Sequence, residues 1–414
     1  MTQKNYKWYV VGLLWFVCFL YYADRQAVFT LFPLLRVEFH LSDMQLGLLG
    51  SSFMWMYAAF GLVAGWPGDR FSRKGLILAG LLFWICISAA TVFSRNYWQL
   101  TVLRAFGGIS EAFYFPATMS IISSYHGPDT RSRAMSLHQS AIYVGTVGGG
   151  SLASILGKHF GWRLNFAFFG GLGLLVFLFL QTFLREPKRE IYVRRQDAGK
   201  QNWTGSSLRG AITDVLASPL ALRLIIAFIG TNSVAMIFMV WLPSFLFRKF
   251  HMSLFMAGTS ATVYLQAASV VGVICGGMLA DKLARRDYGG RMRTQAFGVL
   301  AGVPFLLLIG WTLSVKVLII GMVGFGFCKG IYDSNTWASL HDVVRPEYRA
   351  TAVGVMNSLG WFGSGVAAVA IAAASQRFGM GLCLSATSLI YVAVAGILLW
   401  NASMTVRAHS VHAV

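Results

Sequence analysis

Long apolar runs separated by short polar segments dominate the chain. A bilayer core about 30 Å thick requires roughly 20 mostly apolar residues per helix, and twelve stretches of the sequence meet that requirement. Their predicted limits are 8–32, 46–66, 76–94, 97–122, 134–157, 165–184, 219–247, 253–280, 293–312, 315–340, 353–375 and 380–403. The pattern therefore predicts an all-α membrane protein with twelve transmembrane helices.

Composition and charge are consistent with an integral membrane protein. Of the 414 residues, 56% are hydrophobic and 12% are charged, a more apolar balance than soluble domains have. The net charge of +19 comes from short loops between spans and not from a basic groove with interleaved aromatic residues, which argues against a nucleic-acid partner. We expect the basic loops to contact anionic lipid headgroups.

The loop charges also predict the orientation. With the N-terminus inside, most of the 34 lysines and arginines fall in cytoplasmic segments, as the positive-inside rule requires. The first apolar run is too long for a cleavable signal peptide and ends in charge without a small-residue cleavage site. We therefore expect both termini in the cytoplasm and localisation in a bacterial inner membrane.

The apolar pattern stops once, in the segment "REPKREIYVRRQDAGKQNWTGSSLRGAITDVLASP". This segment either is a disordered linker or carries a short helix on the membrane surface around 208–216. The predicted divisions are an N-terminal six-helix bundle at 1–184, a cytoplasmic linker at 185–218 and a C-terminal six-helix bundle at 219–414.

An internal repeat supports two halves. "GWPGDRFSRKG" at 65–75 returns as "GGMLADKLARR" at 276–286, and "PDTRSRAMS" at 128–136 has a counterpart in "RPEYRATAVG" at 345–354, at nearly the same offset. Aspartates and arginines in such cytoplasmic loops can bridge the bundles in one state and separate in another. The gating candidates are Asp69, Arg70, Arg73, Arg133, Asp281 and Arg349.

These loops resemble a family signature. "GWPGDRFSRKG" is similar to the G-x-x-x-D-R-x-x-R-[RK] motif of the major facilitator superfamily, and the weaker second copy is typical of it. "YYADR" in the first span and "RAFGGISEAFYFPA" in the fourth resemble the anion:cation symporters and the Spinster-like transporters, which share these motifs. The resemblance covers essentially the whole chain and implies two six-helix halves of a secondary transporter.

The fourth span places two charged residues on one face. Arg104 and Glu111 are seven residues apart, and seven steps of 100° return the second side chain to within about 20° of the first. Gly107 and Gly108 lie between them and leave room for a neighbouring helix or a ligand.

Asp24 and Arg25 in the first span are adjacent and diverge by about 100° on a helix, so each must find a partner elsewhere. The resemblance makes the first and fourth spans neighbours, and it implies that Asp24 and Glu111 couple proton movement while Arg104 joins their network or binds an anion. We select Arg104 first for the anion and Arg25 as the partner of an acid. The alternative is a static network that fixes helix register.

The second half offers a different set of polar groups. Lys329 and Asp333 are four residues apart in the tenth span, so Asp333 either neutralises Lys329 or joins it in a substrate site. Gln139 could bind a sugar hydroxyl or another helix, and Tyr114 could line the path or anchor an interface. The predicted substrate-binding residues are Arg104, Arg25, Lys329, Tyr114, Gln139, Asn335, Asp333 and Gln266.

Several absences narrow the function. The five cysteines lie in apolar spans without close pairs, which indicates neither a disulfide frame nor a metal site. The sequence has no Walker-type loop or nucleophile–base arrangement, so we expect no enzyme activity and no cofactor, with a proton gradient as the energy source.

The residues and the resemblance together predict a proton-coupled symporter of a small organic anion such as a sugar acid, acting as a monomer. The first alternative is a Spinster-like lipid or lysolipid transporter, whose cavity would be more apolar than the second half suggests. A drug antiporter has less support because "GTVGGGSLAS" lacks the Gly-Pro pair of such antiporters. A sensor or channel without transport is disfavoured by the retained acids and loop motifs.

Overall fold

The computed structural model of the chain describes residues 3–62, 72–126, 128–186, 208–284, 287, 289–345 and 348–411. In these residues the secondary structure is helical, and strands are not found there. The first half contains α1 (Gln3–Thr30), α2 (Phe32–Phe39), α3 (Asp43–Gly61), α4 (Arg73–Val92), α5 (Tyr97–Tyr125), α6 (Pro128–Phe160) and α7 (Trp162–Phe183). The second half contains α8 (Leu208–Ala217), α9 (Pro219–Lys249), α10 (Leu254–Ala284), α11 (Gly290–Trp311), α12 (Val315–Asp333), α13 (Thr336–Val343), α14 (Arg349–Phe378) and α15 (Met380–Val411).

Each predicted span corresponds to a helix or to a broken helix. Ten helical stretches in the described residues are long and apolar enough to cross a membrane. The other two spans correspond to α3 and to α5, the helix that carries Arg104 and Glu111. The fold is the predicted all-α membrane architecture.

Two predicted spans are interrupted near their ends. The first span breaks at Leu31 because Pro33 at the start of α2 begins a new helix, and α2 ends at His40 in the left-handed conformation. The tenth span breaks at Ser334 and Asn335, between α12 and α13. The helical alternative for the linker is also observed, since α8 covers Leu208–Ala217.

The chain separates into two compact units. The first contains Met1–Leu41 and Ser52–Ser206, and the second contains Ser42–Ser51 and Ser207–Val414. Within the first unit α1 packs on α6, and α4 packs on both α5 and α7.

The second unit repeats this pairing, with α9 on α14 and α11 on both α12 and α15. When the six spans of each unit are numbered from one to six, span one packs on span five in both units. Span three packs on spans four and six. The internal repeat in sequence is matched by a repeat in helix packing.

A close helix contact in the first unit brings α6 against the charged part of α1. A Cβ atom added at Gly149 would lie 2.2 Å from the carbonyl oxygen of Ala23, and one at Gly145 would lie 2.7 Å from that of Phe19. The glycines of "GTVGGG" therefore let the two backbones touch just before Asp24. This contact fixes the position of the charged residues on α1.

Candidate functional site

Four charged side chains meet inside the first unit, two from α1 and two from α5. Asp24 and Arg25 are each 3% exposed, Glu111 is 4% exposed and Arg104 is 6% exposed. Two acids and two bases give the cluster no net charge. Burial of such groups is costly unless they are paired, so the pairing determines whether the arrangement is stable.

The pairs connect the two helices crosswise. Arg25 Nη2 donates to Glu111 Oε2 in an ion pair. Arg104 Nη1 donates to Asp24 Oδ2 at 3.2 Å, and Arg104 Nη2 donates to the carbonyl oxygen of Arg25 at 3.4 Å. The adjacent residues Asp24 and Arg25 thus find separate partners on α5, as helix geometry requires.

Arg104 and Glu111 lie on the same face of α5, as the seven-residue spacing predicts. Gly108 between them faces α3, where an added Cβ atom would lie 2.3 Å from the carbonyl oxygen of Phe53. The space at these glycines is therefore used by a neighbouring helix.

Each acid keeps one oxygen outside the ion pairs. Among the described residues, Asp24 Oδ1 and Glu111 Oε1 are buried and have no hydrogen-bond partner. The other oxygen of Asp24 also accepts a hydrogen bond from Trp84 Nε1 at 3.4 Å. A carboxyl group in this position has an oxygen that can carry a proton without first displacing a hydrogen-bond donor.

Aromatic rings surround the two arginines. The guanidinium carbon of Arg25 lies over the rings of Tyr22 at 4.5 Å, Phe53 at 4.6 Å and Tyr57 at 5.7 Å. The guanidinium carbon of Arg104 lies over Phe53 at 4.9 Å. These distances fall within the range of cation–π attraction.

Two other sequence candidates, Tyr114 and Gln139, lie in this unit. Tyr114 on α5 is buried, and its hydroxyl donates to the carbonyl oxygen of Leu14 at 2.6 Å and lies 2.9 Å from His138 Nε2. Gln139 on α6 is exposed. The Tyr114 hydroxyl therefore links α5 to α1 and α6 in this structure.

The second unit holds its own charged pair. Lys329 donates to Asp333 one turn further along α12 in an ion pair. Their side chains are 16% and 34% exposed, so this pair is more accessible than the quartet. Gln266 on α10 is buried, and Asn335 donates to Ser334 Oγ at 2.7 Å at the break after α12.

The gating candidates are only partly covered by the structure. Asp69 and Arg70 lie outside the described residues. Arg73 begins α4 and donates to Ser124 Oγ at 3.2 Å, whereas Arg133 on α6 is exposed.

The two gating candidates of the second unit are both exposed. Asp281 lies near the end of α10. Arg349 begins α14 and donates to the carbonyl oxygen of His341 at 3.0 Å, within its own unit. Bridging between the bundles stays a prediction.

Sequence reasoning missed several residues around the quartet. Trp84 lies in the apolar run of α4 with no local polar signal, and Phe53 lies in an equally apolar part of α3. The one available signal was the four-residue spacing of Phe53 and Tyr57, which places both rings on one face of α3. Their contact with the arginines depends on how α3 packs and could not be read from that spacing.

Comparison with known proteins identifies the family. Residues 14–368 match the Major Facilitator Superfamily. A probable galactarate/D-glucarate transporter, GudP of Escherichia coli (strain K12), is 24% identical over 89% of this chain and 87% of its own length. Protein spinster homolog 1 of Homo sapiens is 27% identical over 83% of this chain and 68% of its own length.

A plant relative and a solved structure extend the comparison. Probable anion transporter 4, chloroplastic, of Oryza sativa subsp. japonica is 26% identical over 86% of this chain, which spans only 61% of that protein. A bacterial homologue of the human lysosomal transporter Spinster, crystallised inward-facing and occupied, has the same fold, with a TM-score of 0.81, 21% identity and coverage of 97% of both chains. The chain is a multi-pass membrane protein that belongs to the Major Facilitator Superfamily, a family of transporters and not of enzymes.

Proposed function

We propose that this chain is a proton-coupled symporter of a small organic anion, with a sugar acid as the favoured substrate. It works by alternating access as a monomer in a bacterial inner membrane, with both termini in the cytoplasm. The proton gradient supplies the energy, and no bound cofactor takes part.

The crosswise quartet is the observation that carries this proposal. Both acids are buried, both are paired with arginines from the other helix, and each has one oxygen without a hydrogen bond. A buried carboxylate remains charged beside a guanidinium group and favours its protonated form when that partner leaves. A substrate carboxylate that takes over an arginine would therefore promote proton uptake by the acid it displaces.

The same exchange explains why substrate and proton would travel together. One substrate carboxylate and one proton enter the cluster as a neutral addition, and a dicarboxylate such as galactarate is neutralised when both acids of the quartet take up a proton, so the buried site avoids an uncompensated charge. Returning the proton to the cytoplasm would restore the ion pair and expel the anion. Coupling therefore needs no ligand beyond the substrate and the proton.

A sugar acid fits the available chemistry. Guanidinium groups bind carboxylates through paired hydrogen bonds, while tyrosine, glutamine and asparagine side chains suit hydroxyl groups. Two of the relatives, a probable anion transporter and a probable galactarate/D-glucarate transporter, support this substrate class.

A Spinster-like transporter of lipid or lysolipid is the second candidate. It is supported by the 27% identity to a human spinster homologue, which exceeds the identity to the sugar-acid relative. A lipid carrier needs an apolar path for an acyl chain, whereas the quartet offers charged groups that suit a carboxylate. The two candidates therefore differ in the substrates that they would accept.

Uptake into proteoliposomes distinguishes these functions. An inward proton gradient should drive accumulation of galactarate or D-glucarate, and collapse of the gradient with a protonophore should abolish it. Succinate tests whether any dicarboxylate suffices, and a labelled lysolipid tests the alternative. Movement of the lysolipid without uptake of either sugar acid would reject the proposal in favour of a lipid transporter.

A further inference from the structure

The ring of Phe53 contacts both arginines of the quartet. Phe53 lies on α3, is 1% exposed and belongs to the first unit. The guanidinium carbons of Arg25 and Arg104 lie 4.6 Å and 4.9 Å from its ring centroid. One uncharged side chain thus touches the basic member of both ion pairs.

The backbone that carries this ring packs directly against α5. A Cβ atom at Gly108 would meet the carbonyl oxygen of Phe53 at 2.3 Å and the backbone nitrogen of Tyr57 at 2.9 Å. The ring of Tyr57 stacks near Phe53 with a centroid distance of 6.1 Å and an interplanar angle of 21°. The close helix contact and the second ring leave Phe53 little freedom to turn away.

The face of an aromatic ring attracts a cation whether or not a carboxylate is present. The ion pairs of Arg25 and Arg104 depend on the charge of Glu111 and Asp24, so protonation weakens them. The ring of Phe53 has no group that gains or loses a proton, so its electrostatic attraction to a guanidinium group does not depend on protonation. Exclusion of water strengthens that attraction. We therefore expect the contact with the ring to persist in both protonation states.

We propose that Phe53 is a positioning residue that holds Arg25 and Arg104 in orientation for a substrate carboxylate while their acids are protonated. This inference rests on the function proposed above. Without the ring, each guanidinium group released by its acid could adopt many rotamers, and binding would have to restrict them again. Phe53 thereby lowers the entropy that substrate binding must overcome.

A ring that only fills space would have different properties. Replacing ring hydrogens with fluorine progressively weakens the negative potential of the face while leaving the shape almost unchanged. Packing should respond little to this change, whereas a cation–π contact should weaken with each added fluorine. Fluorination therefore separates positioning by electrostatics from filling by volume.

The experiment uses the full-length protein with 4-fluoro-, 3,5-difluoro- and 3,4,5-trifluorophenylalanine incorporated at position 53. We expect the Kd for galactarate and the transport KM to rise in step with fluorination, by about fivefold for the trifluoro form. The maximal rate of transport should change much less. Phe169 on α7 is the control site, because it is 0% exposed and its ring neighbour is Phe168.

The thermal unfolding temperature of each variant provides a readout that does not depend on substrate. We expect it to fall stepwise for position 53 and to stay nearly constant for position 169. A stepwise fall in unfolding temperature with unchanged Kd and KM would overturn the positioning role. No trend at position 53, or an equal trend at both positions, would overturn the cation–π contact itself. Failure of the wild-type protein to bind galactarate or D-glucarate would instead count against the proposed function.

Discussion

At the scale of single residues, Arg104 links α5 to α1 through two different nitrogen atoms. Nη1 donates to Asp24 Oδ2 at 3.2 Å and Nη2 to the carbonyl oxygen of Arg25 at 3.4 Å. A lysine keeps the charge but concentrates it on one nitrogen and cannot reproduce the planar fork. The chemistry at this position therefore depends on the shape of the cation as well as on its charge.

We predict that Arg104→Lys raises the Kd for the transported anion at least tenfold, or about 1.4 kcal/mol. Isothermal titration of the purified protein with galactarate measures this change. Arg163→Lys is the matched control, because Arg163 forms an exposed ion pair with Glu38 in which both side chains are 39% exposed. Wild-type affinity in Arg104→Lys would remove Arg104 from anion binding.

At the scale of helices, two neighbouring glycines on α5 have different surroundings. At Gly108 an added Cβ atom would collide with the backbone of α3, whereas at Gly107 the nearest atom is Phe53 Cδ2 at 3.8 Å. Backbone cannot move aside as a flexible side chain can. The same substitution should therefore have opposite effects at the two positions.

We predict that Gly108→Ala destabilises the protein by about 2 kcal/mol, because α3 must move away from α5. Gly107→Ala should be neutral or stabilising by up to about 1 kcal/mol, since alanine favours helix more than glycine does. Thermal unfolding in detergent compares the two variants directly. Equal stability of both would show that α3 and α5 are not in the described contact.

A second helix-scale feature is the N-terminus of α4. The carboxylate of Glu186 accepts hydrogen bonds from the backbone nitrogens of Arg73 at 3.1 Å and Lys74 at 2.9 Å, and from Ser72 Oγ at 2.6 Å. An acid at this end of a helix also interacts favourably with the helix dipole. Glu186, at the start of the linker region, thereby ties the end of the first bundle to α4.

We predict that Glu186→Ala speeds hydrogen exchange of the Arg73 and Lys74 amides about fivefold, because capping interactions contribute about 1 kcal/mol. Hydrogen exchange measured by mass spectrometry on the peptide that contains Arg73 and Lys74 gives this rate. The amide of Ala221, which is capped by Ser218 in the second unit, serves as the internal control. Unchanged exchange at α4 would mean that Glu186 does not cap this helix.

The sequence predicts the spans and the shared face of Arg104 and Glu111 because both depend on local periodicity. Span length follows from bilayer thickness, and the face follows from the pitch of one helix. The short helix α2 was not predicted, because it extends beyond residue 32, where the apolar run of the predicted first span ends.

The choice of partners within the quartet could not be predicted by such rules. The contacts of Arg25 with Glu111 and of Phe53 with both arginines depend on the rotation and depth at which three helices pack. The cap provided by Glu186 also depends on how distant segments pack together, since more than 110 residues separate Glu186 from Lys74. These contacts follow from tertiary packing, which periodicity within one helix does not encode.

For the molecule as a whole, one buried cluster is proposed to couple protons to net movement of an anion. Uphill transport requires that the proton and the substrate affect each other's binding, and this coupling is reciprocal. Glu111 is the proposed acid whose ion pair with Arg25 breaks when a proton binds. Glutamine at this position resembles the protonated acid and cannot release a proton.

The most direct test measures galactarate accumulation in proteoliposomes under an inward proton gradient, with counterflow exchange measured on the same preparation. We expect wild type to concentrate galactarate, and Glu111→Gln only to equilibrate it while retaining exchange. Glu38→Gln, a change at an exposed carboxylate outside the quartet, should behave as wild type. Accumulation by Glu111→Gln to the wild-type level would contradict the central claim that the α1–α5 quartet couples protons to transport.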